Sequence, residues 1–133
     1  MSAATDPPRI SQTILAVDDD QLVLHLLDEV LRSAGYHVLT AAGGRSAIQT
    51  YESLGSPIHL LLTDVIMPDL TGPVLAERLR SRQPDLQVLF ISGFHDADLV
   101  QRFASDKGIS VLSKPFTVDG LLREVRHSLQ GAA

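Results

Sequence analysis

The fold is decided by the stretch Leu60-Leu61-Leu62-Thr63-Asp64, which is followed at once by Val65-Ile66-Met67-Pro68-Asp69-Leu70-Thr71-Gly72. The apolar run predicts a strand that is buried on both faces of a sheet. The Pro and Gly that come after it predict a loop. A carboxylate at the carboxyl end of such a strand lies where open α/β sheets place their functional groups. The stretch therefore indicates an α/β protein with a site at one edge of its sheet.

Three further apolar runs end in polar residues at the same kind of position. They are Ile14-Leu15-Ala16-Val17 before Asp18-Asp19-Asp20, Val88-Leu89-Phe90-Ile91 before Ser92-Gly93, and the shorter run Ile109–Leu112 before Lys114-Pro115-Phe116. Because the carboxyl ends of parallel strands meet at one edge of a sheet, we expect these side chains to gather around Asp64. Carboxylates, a hydroxyl and an ammonium together suit a divalent cation and a phosphoryl group.

Length, charge and residue composition exclude several classes of protein. The chain has 133 residues, which is enough for one domain with its own core but too few for two. A net charge of −5 disfavours non-specific binding to nucleic acid or anionic membranes, and the absence of cysteine excludes disulfides and thiolate metal sites. No stretch is long enough to span a bilayer, and the first residues do not resemble a signal peptide. We therefore expect a cytoplasmic protein with no direct nucleic-acid or membrane partner.

Hydrophobic periodicity predicts five strands that alternate with five helices. The predicted strands are Thr13–Val17, Tyr36–Ala41, Ile58–Thr63, Gln87–Ile91 and Ile109–Leu112. The third helix is predicted from Pro73 to Arg82 and the fourth over 96–106. Continuous apolar strands between amphipathic helices indicate a parallel sheet that is covered by helices on both faces. One domain is thus expected over 13–130, between a flexible N-terminal tail over 1–12 and a C-terminal tail over 131–133.

Single residues near the predicted loops also carry expectations. Asp20 is expected to cap the first helix, and Thr117 or Asp119 to cap the last. Val74 is expected to face the core. Asp69 is expected to be an ordinary turn residue.

The acidic residues at the predicted edge suggest a chemistry. Three carboxylates at close range, here Asp18, Asp19 and Asp64, repel one another unless a cation or a proton intervenes. A site made of oxygen ligands suits Mg²⁺, with Mn²⁺ as a possible substitute. Asp64 is the candidate nucleophile, because an aspartate can attack phosphorus and hold the group as an acyl phosphate. Lys114 and the Ser92 hydroxyl would bind the other phosphoryl oxygens.

In four motifs the chain resembles the receiver domain of two-component response regulators. The motifs are Val17-Asp18-Asp19-Asp20, Thr63-Asp64-Val65-Ile66-Met67-Pro68, Ile91-Ser92-Gly93 and Lys114-Pro115-Phe116. Each motif alone has little specificity, but all four occur in order at the ends of predicted strands. The resemblance covers about residues 12–130. It implies a flavodoxin-like (βα)5 three-layer sandwich whose parallel sheet has the strand order 2-1-3-4-5.

The resemblance also implies roles around the cation. Asp64 matches the phosphoacceptor, and Asp19 matches the direct metal ligand beside it. Asp18 matches an acid that acts largely through water. The backbone carbonyl of Ile66 matches the third protein ligand.

Further roles concern activation. Ser92 matches the hydroxyl residue that turns toward the phosphoryl group, and Lys114 matches the base that pairs with that group. The peptide bond between Lys114 and Pro115 matches one that is cis in the family. One position departs from the family pattern, because Val111 stands where a Tyr or Phe usually serves as the second switch side chain. The readout of phosphorylation is therefore expected to be different or weak.

Two positions bear on the lifetime of the phosphorylated state. Ile66 and Phe94 lie two residues after the acceptor and the hydroxyl, respectively. Both are apolar, so neither can orient an attacking water. We expect slow loss of phosphate.

The leading interpretation is a signalling module that catalyses its own phosphorylation and dephosphorylation. Its partner would be a histidine kinase or a histidine-phosphotransfer domain. By analogy with the family, the surface made by the fourth predicted helix, the last strand and the final helix would change, and it is the candidate surface for a homodimer.

Other interpretations stay open. The chain could be a Mg²⁺-dependent phosphatase or phosphotransferase with an aspartyl-phosphate intermediate, or a degenerate receiver that acts by binding only. A stand-alone receiver and the receiver of a hybrid histidine kinase are both compatible with the sequence.

Overall fold

The computed structural model describes residues 12–93 and 107–130. The strands are β1 (Thr13–Val17), β2 (His37–Ala41), β3 (Leu60–Asp64), β4 (Gln87–Ser92) and β5 (Ile109–Ser113). The helices within those ranges are α1 (Gln21–Ser33), α2 (Gly44–Leu54), α3 (Gly72–Arg80) and α4 (Val118–Gln130). The helix expected over 96–106, Phe94 and nearly all of the two expected tails lie outside the described residues.

The five strands form one parallel sheet in the order β2-β1-β3-β4-β5. The register pairs Val17 with Thr63 on the neighbouring strand, so the residues that follow them emerge side by side. The order of the strands and their parallel direction confirm the predicted flavodoxin-like α/β fold. None of the helices in the described ranges is long and apolar enough to cross a membrane.

Alternate residues of each strand feed two separate cores, one on each face of the sheet. On one face, Leu15, Leu61 and Phe90 pack against α2 and α3. On the other face, Ile14 and Leu62 pack against α1 and α4. The three central strands β1, β3 and β4 are buried on both sides as a result, and this explains why they are apolar without alternation. The edge strands β2 and β5 are partly exposed.

Polar side chains form N-caps at the starts of three helices. Asp20 Oδ1 accepts hydrogen bonds from the N–H groups of Leu22 and Val23 at the start of α1. Thr71 accepts one from Val74 at the start of α3. Thr117 accepts one from Gly120 at the start of α4, so Thr117 is the cap of the last helix.

Two local expectations are wrong. Val74 does not face the core but is 41% exposed, because α3 buries Leu75 and Leu79 instead. Strand β3 begins at Leu60 rather than Ile58. The N–H and carbonyl groups of Ile58 hydrogen-bond to the side chain of Gln83 and not to a neighbouring strand.

Gln83 thereby links three elements at the edge of the sheet opposite the carboxyl ends. Its Oε1 accepts hydrogen bonds from the Tyr51 hydroxyl at 3.0 Å and from the Ile58 N–H at 3.3 Å. Its Nε2 donates to the Ile58 carbonyl at 2.6 Å. The neighbouring pair Arg82–Glu52 is an exposed ion pair. The two interactions lie side by side but differ sharply in burial.

We predict that Gln83→Ala lowers the free energy of unfolding by about 1–3 kcal/mol, because the buried Ile58 loses the partners of both backbone groups. Arg82→Ala should change it by about 0.5 kcal/mol or less, since an exposed ion pair contributes little. Urea denaturation of both variants measures the difference. Equal losses from the two substitutions would contradict the prediction.

Candidate functional site

The carboxyl edge of the sheet collects the polar residues that the sequence predicts there. Asp64 and Ser92 are the last residues of β3 and β4, whereas Asp18 and Lys114 follow directly after β1 and β5. The Lys114 N–H donates a backbone hydrogen bond to the Ser92 carbonyl at 2.9 Å, which ties the two strand ends together. The fold therefore brings these residues to one edge.

Three carboxyl groups form a cluster at this edge. Asp18, Asp19 and Asp64 each offer one oxygen, and these oxygens all lie within 4.8 Å of one another. Asp18 and Asp64 are buried, whereas Asp19 is exposed. The cluster is thus open to solvent on the side of Asp19.

Asp18 is fully buried. Its Oδ1 accepts a hydrogen bond from the Asp20 N–H at 2.8 Å. Its Oδ2 is also buried but has no hydrogen-bond partner among the described residues. An unpaired buried carboxylate oxygen is unfavourable unless something else compensates its charge.

Asp64 lies between a backbone donor and an ammonium. Its Oδ1 accepts a hydrogen bond from the Val65 N–H at 3.0 Å, and the Lys114 Nζ lies 3.6 Å from the same oxygen. The Lys114 side chain is 36% exposed, so water solvates part of its charge. The ion pair is therefore only a partial compensation for the buried acids.

The acidic surroundings appear in the pKa values. Burial, followed by the negative charge of Asp18, raises the pKa of Asp64 to about 6, against the opposing effect of Lys114. Burial likewise raises the pKa of Asp18, and the hydrogen bond from the Asp20 N–H opposes that rise. Without a further cation, the folded protein holds these two acids at an energetic disadvantage.

The other candidate residues lie around this cluster. Ser92 is buried, and its Oγ donates to the Gly93 carbonyl at 3.2 Å. Ile66 lies on the loop after β3, with a side chain that is 52% exposed. Val111 on β5 is partly buried against the core below α3, paired in register with Phe90. The Lys114-Pro115 bond is cis, as predicted.

The residues present fit a hard divalent cation. All the candidate side-chain donors are carboxylate oxygens, which Mg²⁺ and Mn²⁺ prefer. The buried Asp18 Oδ2 without a partner and the raised pKa of Asp64 both report negative charge that is not neutralised by the protein. A cation at this edge would supply that compensation.

Sequence reasoning missed the position of Asp69, for which the expectation of an ordinary turn is wrong. Its carboxylate accepts hydrogen bonds from the N–H groups of Gly44 and Arg45, at the start of a distant helix. The signal in the sequence is Gly43-Gly44, a helix start that has no capping side chain of its own. Such a start needs an acceptor from elsewhere.

Comparisons with known proteins concern the domain as a whole. The model of the response regulator receiver domain family matches residues 14–126. The response regulator receiver protein CpdR of Brucella abortus is 37% identical over 119 residues, which cover 90% of this chain and 98% of CpdR. The receiver domain of the hybrid histidine kinase CckA has a solved structure that matches with a TM-score of 0.74 and 33% identity, covering 89% of this chain and 99% of that chain.

Relatives of different length share this region. Sensor kinase CckA of Brucella abortus is 33% identical over 120 residues, which cover 90% of this chain but 13% of the kinase. The chain therefore spans almost all of one relative and a small part of another.

We predict that Asp64→Asn stabilises the protein at pH 7 in the absence of divalent cations. The pKa of Asp64 is about 6 in the folded protein and near 3.8 in the unfolded chain, so the folded state binds more protons between these values. Stability from this group is therefore lost as the pH rises from 4 to 6. Removing the charge should raise the free energy of unfolding by about 1–3 kcal/mol.

Urea denaturation from pH 4 to pH 8 in the presence of a chelator tests this prediction. The control is Asp85→Asn, which removes the same charge from an exposed position. The stability difference between the wild type and Asp64→Asn should grow from pH 4 to 6 and stay constant above 7. A variant that is less stable than the wild type at pH 7 would refute the assignment.

Proposed function

Because this chain belongs to the family of response regulator receiver domains, we propose that Asp64 accepts a phosphoryl group from a phosphohistidine of a partner protein. Receiver domains act in two-component signalling, where they interact with histidine kinases and phosphotransfer partners. The observation that carries the proposal is the cluster of Asp18, Asp19 and Asp64, with Lys114 Nζ 3.6 Å from Asp64 Oδ1.

In the proposed transfer, an oxygen of the Asp64 carboxylate attacks phosphorus. The bond from phosphorus to the imidazole nitrogen breaks, and that nitrogen keeps the electron pair. The product is an acyl phosphate on Asp64. The Lys114 ammonium and the Ser92 hydroxyl bind oxygens of the transferred group. They thereby stabilise the negative charge that these oxygens carry.

The cation that receiver domains generally bind is Mg²⁺, and Mn²⁺ is a chemically similar substitute. The carboxylates of Asp18, Asp19 and Asp64 and the backbone carbonyl of Ile66 would hold it. When bound, the cation neutralises charge on the transferring phosphoryl group. The protein contributes by keeping its oxygens close together before the cation arrives.

Activation is proposed to depend on Ser92 and Val111. A movement of the Ser92 hydroxyl toward the new phosphoryl group would shift the end of β4. Because the Lys114 N–H hydrogen-bonds to the Ser92 carbonyl, the residues around Lys114 would move with it. Val111 has no ring that can swing between two positions. The change at the surface of β5 is therefore proposed to be smaller than in receivers with an aromatic residue there.

The partner is proposed to be a histidine kinase or a histidine-phosphotransfer domain. Apolar side chains on α1 support this, because Leu22 is 83% exposed and Leu26 is 42% exposed beside the acidic edge. Further along α1, Val30 lines a surface groove together with Val118 and Leu122 of α4. We also propose a homodimer through β5, α4 and the segment 96–106, of which the segment lies outside the described residues.

We predict that the wild type takes up one phosphoryl group from acetyl phosphate in the presence of Mg²⁺, whereas Asp64→Ala takes up none. Asp85→Ala, which removes an exposed acid outside the site, should react like the wild type. Intact-protein mass spectrometry measures the added group. Beryllofluoride with Mg²⁺ should change the amide NMR spectrum of the wild type and of Asp85→Ala but not that of Asp64→Ala.

Other outcomes of this experiment favour other functions. Continuous turnover of a small phosphate ester would favour a phosphatase, although the apolar Ile66 stands where such enzymes commonly carry a second acid. No reaction and no spectral change in the wild type would favour a receiver that acts by binding only, to which the absent ring at Val111 lends some support.

We predict that phosphorylated Asp64 is long-lived, because Ile66 and Phe94 cannot orient an attacking water. Ile66→Asn should shorten the half-life by about tenfold, less than a full general base would supply. Val74→Asn is the matched control, since Val74 is also a partly exposed aliphatic residue but lies on α3. Loss of label from phosphorylated protein measures the rates, and a wild-type half-life of seconds would contradict the prediction.

A further inference from the structure

Asp69 lies on the loop after β3 but hydrogen-bonds to the start of α2. Its Oδ1 accepts from the Gly44 N–H at 3.0 Å, and its Oδ2 accepts from the Arg45 N–H at 2.9 Å. Its Oδ1 also accepts from the Leu70 N–H at 2.8 Å. The hydrogen bonds from Arg45 and Gly44 hold the pKa of Asp69 below its usual value. One carboxylate thus joins two segments that are far apart in the sequence.

The glycines at the start of α2 allow this close approach. A Cβ on Gly44 would lie 2.6 Å from the Cβ of Leu70, which is closer than real Cβ atoms come. A Cβ on Gly43 would lie 3.2 Å from both carboxylate oxygens of Asp69. The loop therefore sits directly on the backbone of α2, and a side chain at Gly44 would push it away.

The same loop is closed at its base. The Gly72 N–H donates to the Val65 carbonyl at 2.7 Å, and a Cβ on Gly72 would lie 2.5 Å from the carbonyl oxygen of Asp64. Between these points the loop carries Ile66. Its neighbours Val65 and Met67 are buried in the core. Beyond Met67, the loop is attached laterally to α2 through Asp69.

We propose that Asp69 is a positioning residue for the cation site, holding the loop so that the Ile66 carbonyl faces the oxygens of Asp18, Asp19 and Asp64. This inference rests on the proposed function of that site, because it assigns the Ile66 carbonyl to the cation. Asp69 itself touches neither the cation nor the phosphoryl group. Its effect passes through the backbone from Asp69 to Ile66.

Gln83 offers a matched control, because it also links the neighbourhood of α2 to that of α3. The Tyr51 hydroxyl of α2 bonds to Gln83 just beyond α3, at the edge of the sheet away from the acids. Gln83→Ala should therefore weaken the fold without moving the loop that carries Ile66. Loss of stability and loss of cation affinity can be separated by comparing it with Asp69→Asn.

The experiment measures the affinity of each variant of the 133-residue chain for Mg²⁺ by isothermal titration calorimetry, and its stability by urea denaturation. Asp69→Asn should bind Mg²⁺ about tenfold more weakly, at the lower end of the effect of removing a group that supports a metal ligand. Gln83→Ala should keep the wild-type affinity. Asp69→Glu keeps a carboxylate and should recover part of the affinity lost in Asp69→Asn.

A second variant disturbs the loop without altering Asp69. Gly44→Ala places a Cβ against Leu70 and should also weaken Mg²⁺ binding. If the wild type binds Mg²⁺ and Asp69→Asn binds it equally well, the inference is overturned while the proposed function stands. If Gln83→Ala loses as much affinity as Asp69→Asn, the effect is general softening and the positioning role is overturned. A wild type that does not bind Mg²⁺ overturns the proposed function itself.

Discussion

The repulsion among Asp18, Asp19 and Asp64 is the constraint around which the carboxyl edge of the sheet is organised. Strands β1 and β3 are paired neighbours, and their register sets Val17 beside Thr63. The acids that follow must therefore emerge side by side, whatever the cost of their mutual charge. The burial of two apolar cores supplies the favourable free energy that keeps the acids together.

The protein compensates this charge only in part. Among the described residues, three carboxyl groups share the partial compensation of one ammonium, that of Lys114. Lys114 is partly exposed, and Asp18 Oδ2 has no partner in the described part of the chain. The site is thus preorganised for positive charge, because the unfavourable arrangement already exists in the folded state. Such an arrangement lowers the stability of the fold, as functional sites commonly do.

Much of this arrangement is readable in the sequence, because it follows from rules that act locally or along one strand. The buried strand before Asp64, the cap at Asp20 and the meeting of strand ends at one edge all depend on spacing and residue type. The expectation that Val74 faces the core is wrong, because α3 turns Leu75 and Leu79 inward and leaves Val74 partly exposed. Helical spacing alone does not show which of two adjacent apolar residues the core accepts.

The contacts that sequence reasoning missed are those made by side chains across long separations. Asp69 caps a helix that begins 25 residues earlier, and Gln83 takes the place of a strand partner for Ile58, also at a separation of 25. Neither contact has a local pattern, because the partner in each case is a backbone group that every residue possesses. The pair Gly43-Gly44 has no side chain that could cap α2, which shows that an acceptor is needed but not which residue provides it.

These two long-range contacts lie at opposite ends of the sheet and have different consequences. At the edge near Gln83, the polar groups of Ile58 are satisfied and the interactions serve stability. At the opposite edge, the carboxylates remain underpaired, and Asp69 attaches their loop to α2 without adding to the cluster itself. One small domain therefore keeps underpaired carboxylates at one end of its sheet, while the buried backbone groups of Ile58 at the other end have their hydrogen-bond partners.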